Sequence, residues 1–240
     1  MTPPTFWAYA TRCLRRGLTS LVTLFRLLPA CPSSAALPKI FVVVEGQNDI
    51  EFLRRISRIL HDEVPTLPDL GEMERQRELI FLPSGGGDTR PWTFRLAGLG
   101  CPAFYLYDRD VPPATEARQQ AAEMVNWRPN CRAVLTRKRA LENYLDPQAI
   151  LEASGIRIEF SDDDHVADLV ARHSYERSPK PLPWQELPAR TRKRRRDKAK
   201  QWLNTRAVEC MTPQRLKQRD PDGEVQSWLM TIATLANAAR

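Results

Sequence analysis

Short, unbroken apolar runs alternate with helically spaced apolar positions through the middle of the chain. Ile40-Phe41-Val42-Val43-Val44 is continuous and rich in β-branched residues, the composition of a strand covered by helices on both faces. After the turn Glu45-Gly46-Gln47-Asn48-Asp49, the residues Ile50, Leu53, Ile56, Ile59 and Leu60 are spaced to line one face of a helix. A second strand is predicted over Leu79 to Leu82, running into the glycine-rich Pro83-Ser84-Gly85-Gly86-Gly87-Asp88, and a helix over Pro91 to Leu99, stopped at Gly100. Ala103 to Tyr107 predicts a third strand, ending at Asp108-Arg109-Asp110 where Pro112-Pro113 blocks its continuation; a fourth is expected near Cys131 to Leu135. This alternation predicts an α/β fold, a mostly parallel sheet flanked by helices. Beyond Leu145 the chain turns polar and helical. It carries a proline-rich segment from Ser178 to Pro188, a basic run from Arg190 to Lys200, and helices around Trp202 to Ala207 and Glu224 to Ala238. The expected organisation is a basic amphipathic N-terminal extension (1–38), a central α/β domain (39–147) and a helical basic C-terminal extension (148–240).

Charge adds a partner class. Lys and Arg total 36 against 29 Asp and Glu, a net charge of +7 that suits a polyanion such as nucleic acid. The five cysteines are scattered, with no paired CxxC, which argues against a zinc ribbon and suits a reducing compartment. His61, His165 and His173 form no metal-binding spacing and read as surface or packing residues. The first 44 residues contain no Asp or Glu and carry Arg12, Arg15, Arg16 and Arg26 beside an apolar stretch too short to span a bilayer. That profile suits a signal peptide or presequence. The plainer reading, a basic amphipathic helix or upstream translation, is preferred because the chain after Pro38 reads as an intracellular, cytoplasmic domain suited to nucleic acid.

Parallel α/β sheets place their sites beyond the carboxyl ends of the strands, where two of the predicted strands end in acids. Asp108 and Asp110 are two apart and project to one side if the strand conformation persists; Asp49 lies one helical turn beyond Glu45. Carboxylates gathered in a low-dielectric cleft repel one another unless cations neutralise them. A hard-oxygen set without Cys or His selects Mg²⁺ or Mn²⁺, one or two ions, which can activate water and stabilise charge on phosphate. Each acid alone has a plainer role, at a helix N-terminus for Glu45 and Asp49 or in a turn for Asp108 and Asp110. Their joint order is what carries the reading.

Val42-Val43-Val44-Glu45-Gly46-x-x-Asp49 before a helix, then a glycine-rich turn, then Tyr105-Leu106-Tyr107-Asp108-Arg109-Asp110, resembles the TOPRIM domain, in the version found in overcoming-lysogenization-defect (OLD) nucleases. The resemblance covers Lys39 to Leu145. It implies that Glu45, Asp49, Asp108 and Asp110 hold metal and that the protein is an endonuclease or nickase. Arg139-Ala140-Leu141-Glu142-Asn143-Tyr144-Leu145 is similar to the family's R-x-x-E-x-Y-L element, which adds Glu142 to the metal set. Lys198 or Lys200 corresponds to the lysine placed near the scissile phosphate, and the residues do not choose between them. No GxxxxGK[ST] is present, so regulation by ATP would need a separate ATPase partner. Arg192, Lys193, Arg194, Arg195 and Arg196 are expected to contact nucleic-acid phosphates, a solvated helix face being the plainer alternative. DNA is the favoured substrate, with a setting in phage defence or mobile elements. An RNA-cleaving effector and a non-catalytic nucleic-acid-binding subunit stay open, and a homodimer is allowed.

Overall fold

The computed structural model describes residues 38–85, 95–96, 98–177, 179 and 182–238. Residues 1–37 of the expected N-terminal extension, residues 86–88 of the glycine-rich turn and residues 91–94 and 97 of the helix expected over 91–99 lie outside the described residues. The described residues make one compact unit.

Four strands form the sheet: β1 (Ile40–Val44), β2 (Leu79–Pro83), β3 (Ala103–Tyr107) and β4 (Cys131–Leu135), in the order β2-β1-β3-β4 and all parallel. β1 and β3 are central and wholly buried, which is why both are unbroken apolar runs. Their alternate side chains feed two cores. Ile40, Val42, Val44, Phe104 and Leu106 face one side; Phe41, Val43, Tyr105 and Tyr107 face the other.

The helix following β1, α1 (Gln47–Glu63), presents Ile50, Leu53, Ile56 and Leu60 to the first core, and the short α2 (Leu70–Arg75) is capped by the Asp69 carboxylate on the amides of Gly71 and Glu72. Between β3 and β4 runs α3 (Ala114–Asn126), whose Ala122 and Val125 cover the second core. Past β4 the chain makes a 3₁₀ turn (Leu141–Tyr144), then α4 (Pro147–Ser154), capped by Asp146 and ended by Gly155 at φ +65°. α5 (Val166–Glu176) precedes the proline-rich segment, where Trp184 is buried beside Tyr175. The basic run forms α6 (Ala189–Trp202), which continues through one π turn (Leu203–Ala207). α7 (Pro213–Arg219) and α8 (Glu224–Ala238) complete the unit.

Residues 148–238 pack into the same unit as the sheet. Val225, Trp228, Leu229 and Ile232 of α8 join the first core, and α8 lies against β1 and β3. Tyr144 links this helix to the 3₁₀ turn: its ring packs edge-on to Trp228 and its hydroxyl donates to Glu224. Among the described residues no helix is long and apolar enough to cross a membrane.

Candidate active site

At the carboxyl edge of β1 and β3, Glu45, Asp108, Asp110 and Glu142 line a cleft of about 250 Å³ together with Lys200, whose ammonium also meets the buried Asp49. Glu45 follows β1. Asp49, in the first turn of α1, turns back so that its Oδ2 accepts from the Gly46 amide at 2.7 Å. Its Oδ1 is buried and faces the Lys200 ammonium. Asp108 follows β3; one of its oxygens accepts from the Leu141 amide at 3.2 Å. Glu142 comes from the 3₁₀ turn and accepts from the Asn204 side chain, one helical turn past Lys200. The π turn that contains Asn204 is of the kind that often marks functional positions in helices.

Lys200 places its ammonium among the three innermost acids, 3.4 Å from Asp49, 3.5 Å from Asp108 and 3.6 Å from Glu142. These are loose pairs, longer than the 2.7–2.9 Å typical of charge-assisted bonds. Lys198 instead lines a different cavity, beside Ile156 and Trp202. The outer acids have their own cation. Arg118, from α3, reaches over the strand ends, meets Glu45 at 2.8 Å, pairs with Asp110 and donates to the Asp108 carbonyl at 3.0 Å.

Asp108 and Asp110 do not project together. β3 ends at Tyr107 and Asp110 adopts a left-handed φ of +53°, so Asp108 turns inward, 7% exposed, while Asp110 turns outward to Arg118. Sequence reasoning missed Arg118, Asn204 and His165. His165, expected to be an ordinary packing or surface residue, lines this cleft. Of the basic run, Lys193 and Arg196 also line it. Arg195 instead stacks on Tyr175 at 4.7 Å, and Arg192 donates to the Gln185 carbonyl. Arg194 is exposed.

Burial sets the electrostatics. It pushes Glu45 from 4.5 up to about 7, against the pull of Arg118 and with added repulsion from Asp49. Burial likewise raises Asp49, and Asp108 well above the usual carboxyl range, with Lys200 opposing in both cases. Lys200 itself loses by burial and gains more from Glu142, Asp108, Asp49 and Glu45, so its ammonium is held well above the ordinary lysine range.

Among the described residues no group of three or more His, Cys, Asp or Glu is already drawn into metal-holding geometry. Instead, the Lys200 ammonium stands among the inner carboxylates. The donor chemistry nonetheless fits a hard divalent cation. The acids supply oxygen alone, and the buried Asn204 Oδ1 accepts no hydrogen bond.

The fold and site together define an α/β domain with an acidic, cation-neutralised cleft at the carboxyl edge of a parallel sheet. Among solved structures the chain is similar to the C-terminal region of the OLD protein of Xanthomonas campestris pv. campestris, with 11% identity and a TM-score of 0.44, over 84% of this chain and 96% of that chain. No protein-family model and no curated protein sequence matches it.

Proposed function

We propose that this protein is a divalent-metal-dependent nuclease that hydrolyses phosphodiester bonds, with DNA the favoured substrate. The observation that carries the reading is the set of buried carboxylates, Asp49, Asp108 and Glu142, gathered around a single loosely held ammonium at the carboxyl edge of the sheet. Burial of that much like charge is costly, and a catalytic role for a cation accounts for its retention. Asp49, Asp108 and Glu142 would hold Mg²⁺ or Mn²⁺, with Glu45 and Asp110 at the outer edge. A bound ion would supply water activation and stabilisation of charge on the phosphate.

The chain's own groups do the rest. Lys200 offers a positive charge beside the acids, suited to the charge that grows on a phosphoryl oxygen. Lys193 and Arg196 line the approach to the cleft and suit the flanking backbone phosphates. Asn204 fixes the Glu142 carboxylate, and the Leu141 amide fixes Asp108.

A second reading is favoured by the ammonium itself. Lys200 already neutralises part of the acidic cluster, as expected of a nucleic-acid-binding subunit that never takes metal. The separating experiment incubates supercoiled plasmid and total RNA with the protein in Mn²⁺, Mg²⁺ or chelator, beside Asp108→Ala. Metal-dependent cutting that vanishes in the variant is the expected result and also names the substrate. Binding that survives chelator, with no cutting under any condition, would replace the enzyme by the binding subunit.

A further inference from the structure

The basic helix α6 carries two rows of side chains with different surroundings. Lys193, Arg196 and Lys200 face the acidic cleft, and each has carboxylate partners: Asp197 at 3.0 Å, Asp168 at 3.7 Å, and the three inner acids. Arg195, Lys198 and Trp202 repeat that spacing two residues further on, which at 3.6 residues per turn puts them about 200° round the helix. There they line a second cavity, of about 410 Å³, bordered by α5 and the end of α4. Its apolar lining includes the buried Ile156, Val170 and Ala199. Arg177 joins Arg195 and Lys198 on the polar side, and no Asp or Glu lines the cavity. Among the described residues none of these three cations is in an ion pair. Arg177 donates to the Ser154 carbonyl at 3.1 Å, and Arg195 is held 4.7 Å from the centre of the Tyr175 ring.

We propose that this second cavity binds a free nucleotide, its phosphate held by Arg177, Arg195 and Lys198 and its base laid against Trp202 and the apolar lining. Charge selects the head group. Three cations without acidic partners match a phosphate monoester, which carries a charge of about −1.5 to −2 at neutral pH, better than a singly charged carboxylate. Guanidinium forks also suit the geometry of phosphate oxygens. The lining selects the rest of the ligand. An inorganic anion would leave the apolar wall and the Trp202 ring untouched, whereas a base has a flat face to set against them. Size agrees, because 410 Å³ falls within the span of about 300–1,000 Å³ usual for small-molecule sites. A strand lying in the acidic cleft would occupy the other side of α6, so the ligand is separate from it. No metal enters the argument, and the proposal stands apart from the nuclease reading.

The test is equilibrium binding by the full chain in chelator and low salt, read by calorimetry with the four ribonucleoside 5′-monophosphates in turn. At least one is expected to bind once per chain with a dissociation constant below about 1 mM, and its nucleoside and inorganic phosphate should each bind about tenfold more weakly or worse. Lys198→Gln should weaken the monophosphate about tenfold, the scale of one hydrogen bond to a charged group. Ser174→Trp, which fills the cavity from α5, should abolish binding; Lys198 and Ser174 are both exposed, so neither change disturbs the core. Lys193→Ala, on the cleft side of α6, should leave the affinity within about twofold. Loss in Lys193→Ala with Lys198→Gln unchanged would move the nucleotide to the acidic cleft, and phosphate bound as tightly as the monophosphate would leave an anion site only; either result overturns the proposal. A single-stranded oligonucleotide that displaces the monophosphate would overturn the free ligand in favour of a nucleotide of the bound strand. Failure of all four monophosphates to bind at millimolar concentration would end the proposal and leave the nuclease reading untouched.

Discussion

Replacing Lys200 by methionine preserves most of the length of the side chain and removes its charge from the centre of Asp49, Asp108 and Glu142. Removing one partner of a buried ion pair costs about 3–5 kcal/mol, because the remaining charge is left uncompensated. The Lys200 side chain is 29% exposed, so solvent recovers part of that, and about 2–3 kcal/mol is expected in the metal-free protein. For a domain of roughly 200 residues this lowers the melting temperature by about 4–12 °C. The deficit depends on pH with a definite sign. Asp49 and Asp108 already have folded-state values raised by burial and restrained by Lys200, and losing the ammonium raises them further. Acids raised in the folded state contribute stability at pH below their unfolded values and lose it as pH climbs through the folded ones. The variant should therefore approach wild type as pH falls towards about 4 and fall furthest behind near pH 8. Lys200 itself, held above its ordinary range by these acids, stays charged across the whole window, so the trend comes from the titration of the acids. Urea melts in chelator across this range measure it. A variant within about 0.5 kcal/mol of wild type at pH 8, the scale of ordinary surface substitutions, would refute the view that this ammonium neutralises the acids.

Glu45, pushed up to about 7 from 4.5, prefers its neutral form in the folded protein, so metal-free stability should drain away as pH rises through that interval. The stability difference between Glu45→Gln and wild type should move in favour of the variant by about 3 kcal/mol from pH 4.5 to 8; a flat difference in chemical denaturation would contradict the shift. On the basic helix, Lys193→Ala and Arg196→Ala should each lower the salt dependence of nucleic-acid binding by about 0.7–0.9 in the log-log slope, read by fluorescence anisotropy. Arg195→Ala should leave that slope unchanged and cost about 0.5–1 kcal/mol of stability through its lost stacking on Tyr175. Equal slopes for all three variants would show that the run acts as an undifferentiated charge.

The strands were legible because buried parallel strands have little choice of residue: β1, β3 and β4 lie where their apolar runs lie, and β2 extends one residue further, to Pro83. The acids were legible for a related reason, since they occupy the first turns after those strands. Side-chain direction was not. A single left-handed residue at Asp110 separates it from Asp108, and alternation along a strand says nothing once the strand has ended. The cations were hidden more thoroughly. α3 is polar and buries only Ala121, Ala122 and Val125, so it gives little helical signal, and nothing local marks Arg118 as the residue that reaches Glu45 across 73 positions of sequence. Lys200 could have been separated from Lys198 by helical phase, because Lys193, Arg196 and Lys200 share one face at intervals of three and four while Lys198 falls on another. The asymmetry has a physical origin. The acids are grouped by the chain's local course around the sheet, whereas their counter-charges are recruited by tertiary packing from helices that carry no motif. A motif therefore exposes the negative half of such a site, and the positive half, which sets how the acids are neutralised, appears only when the helices are placed.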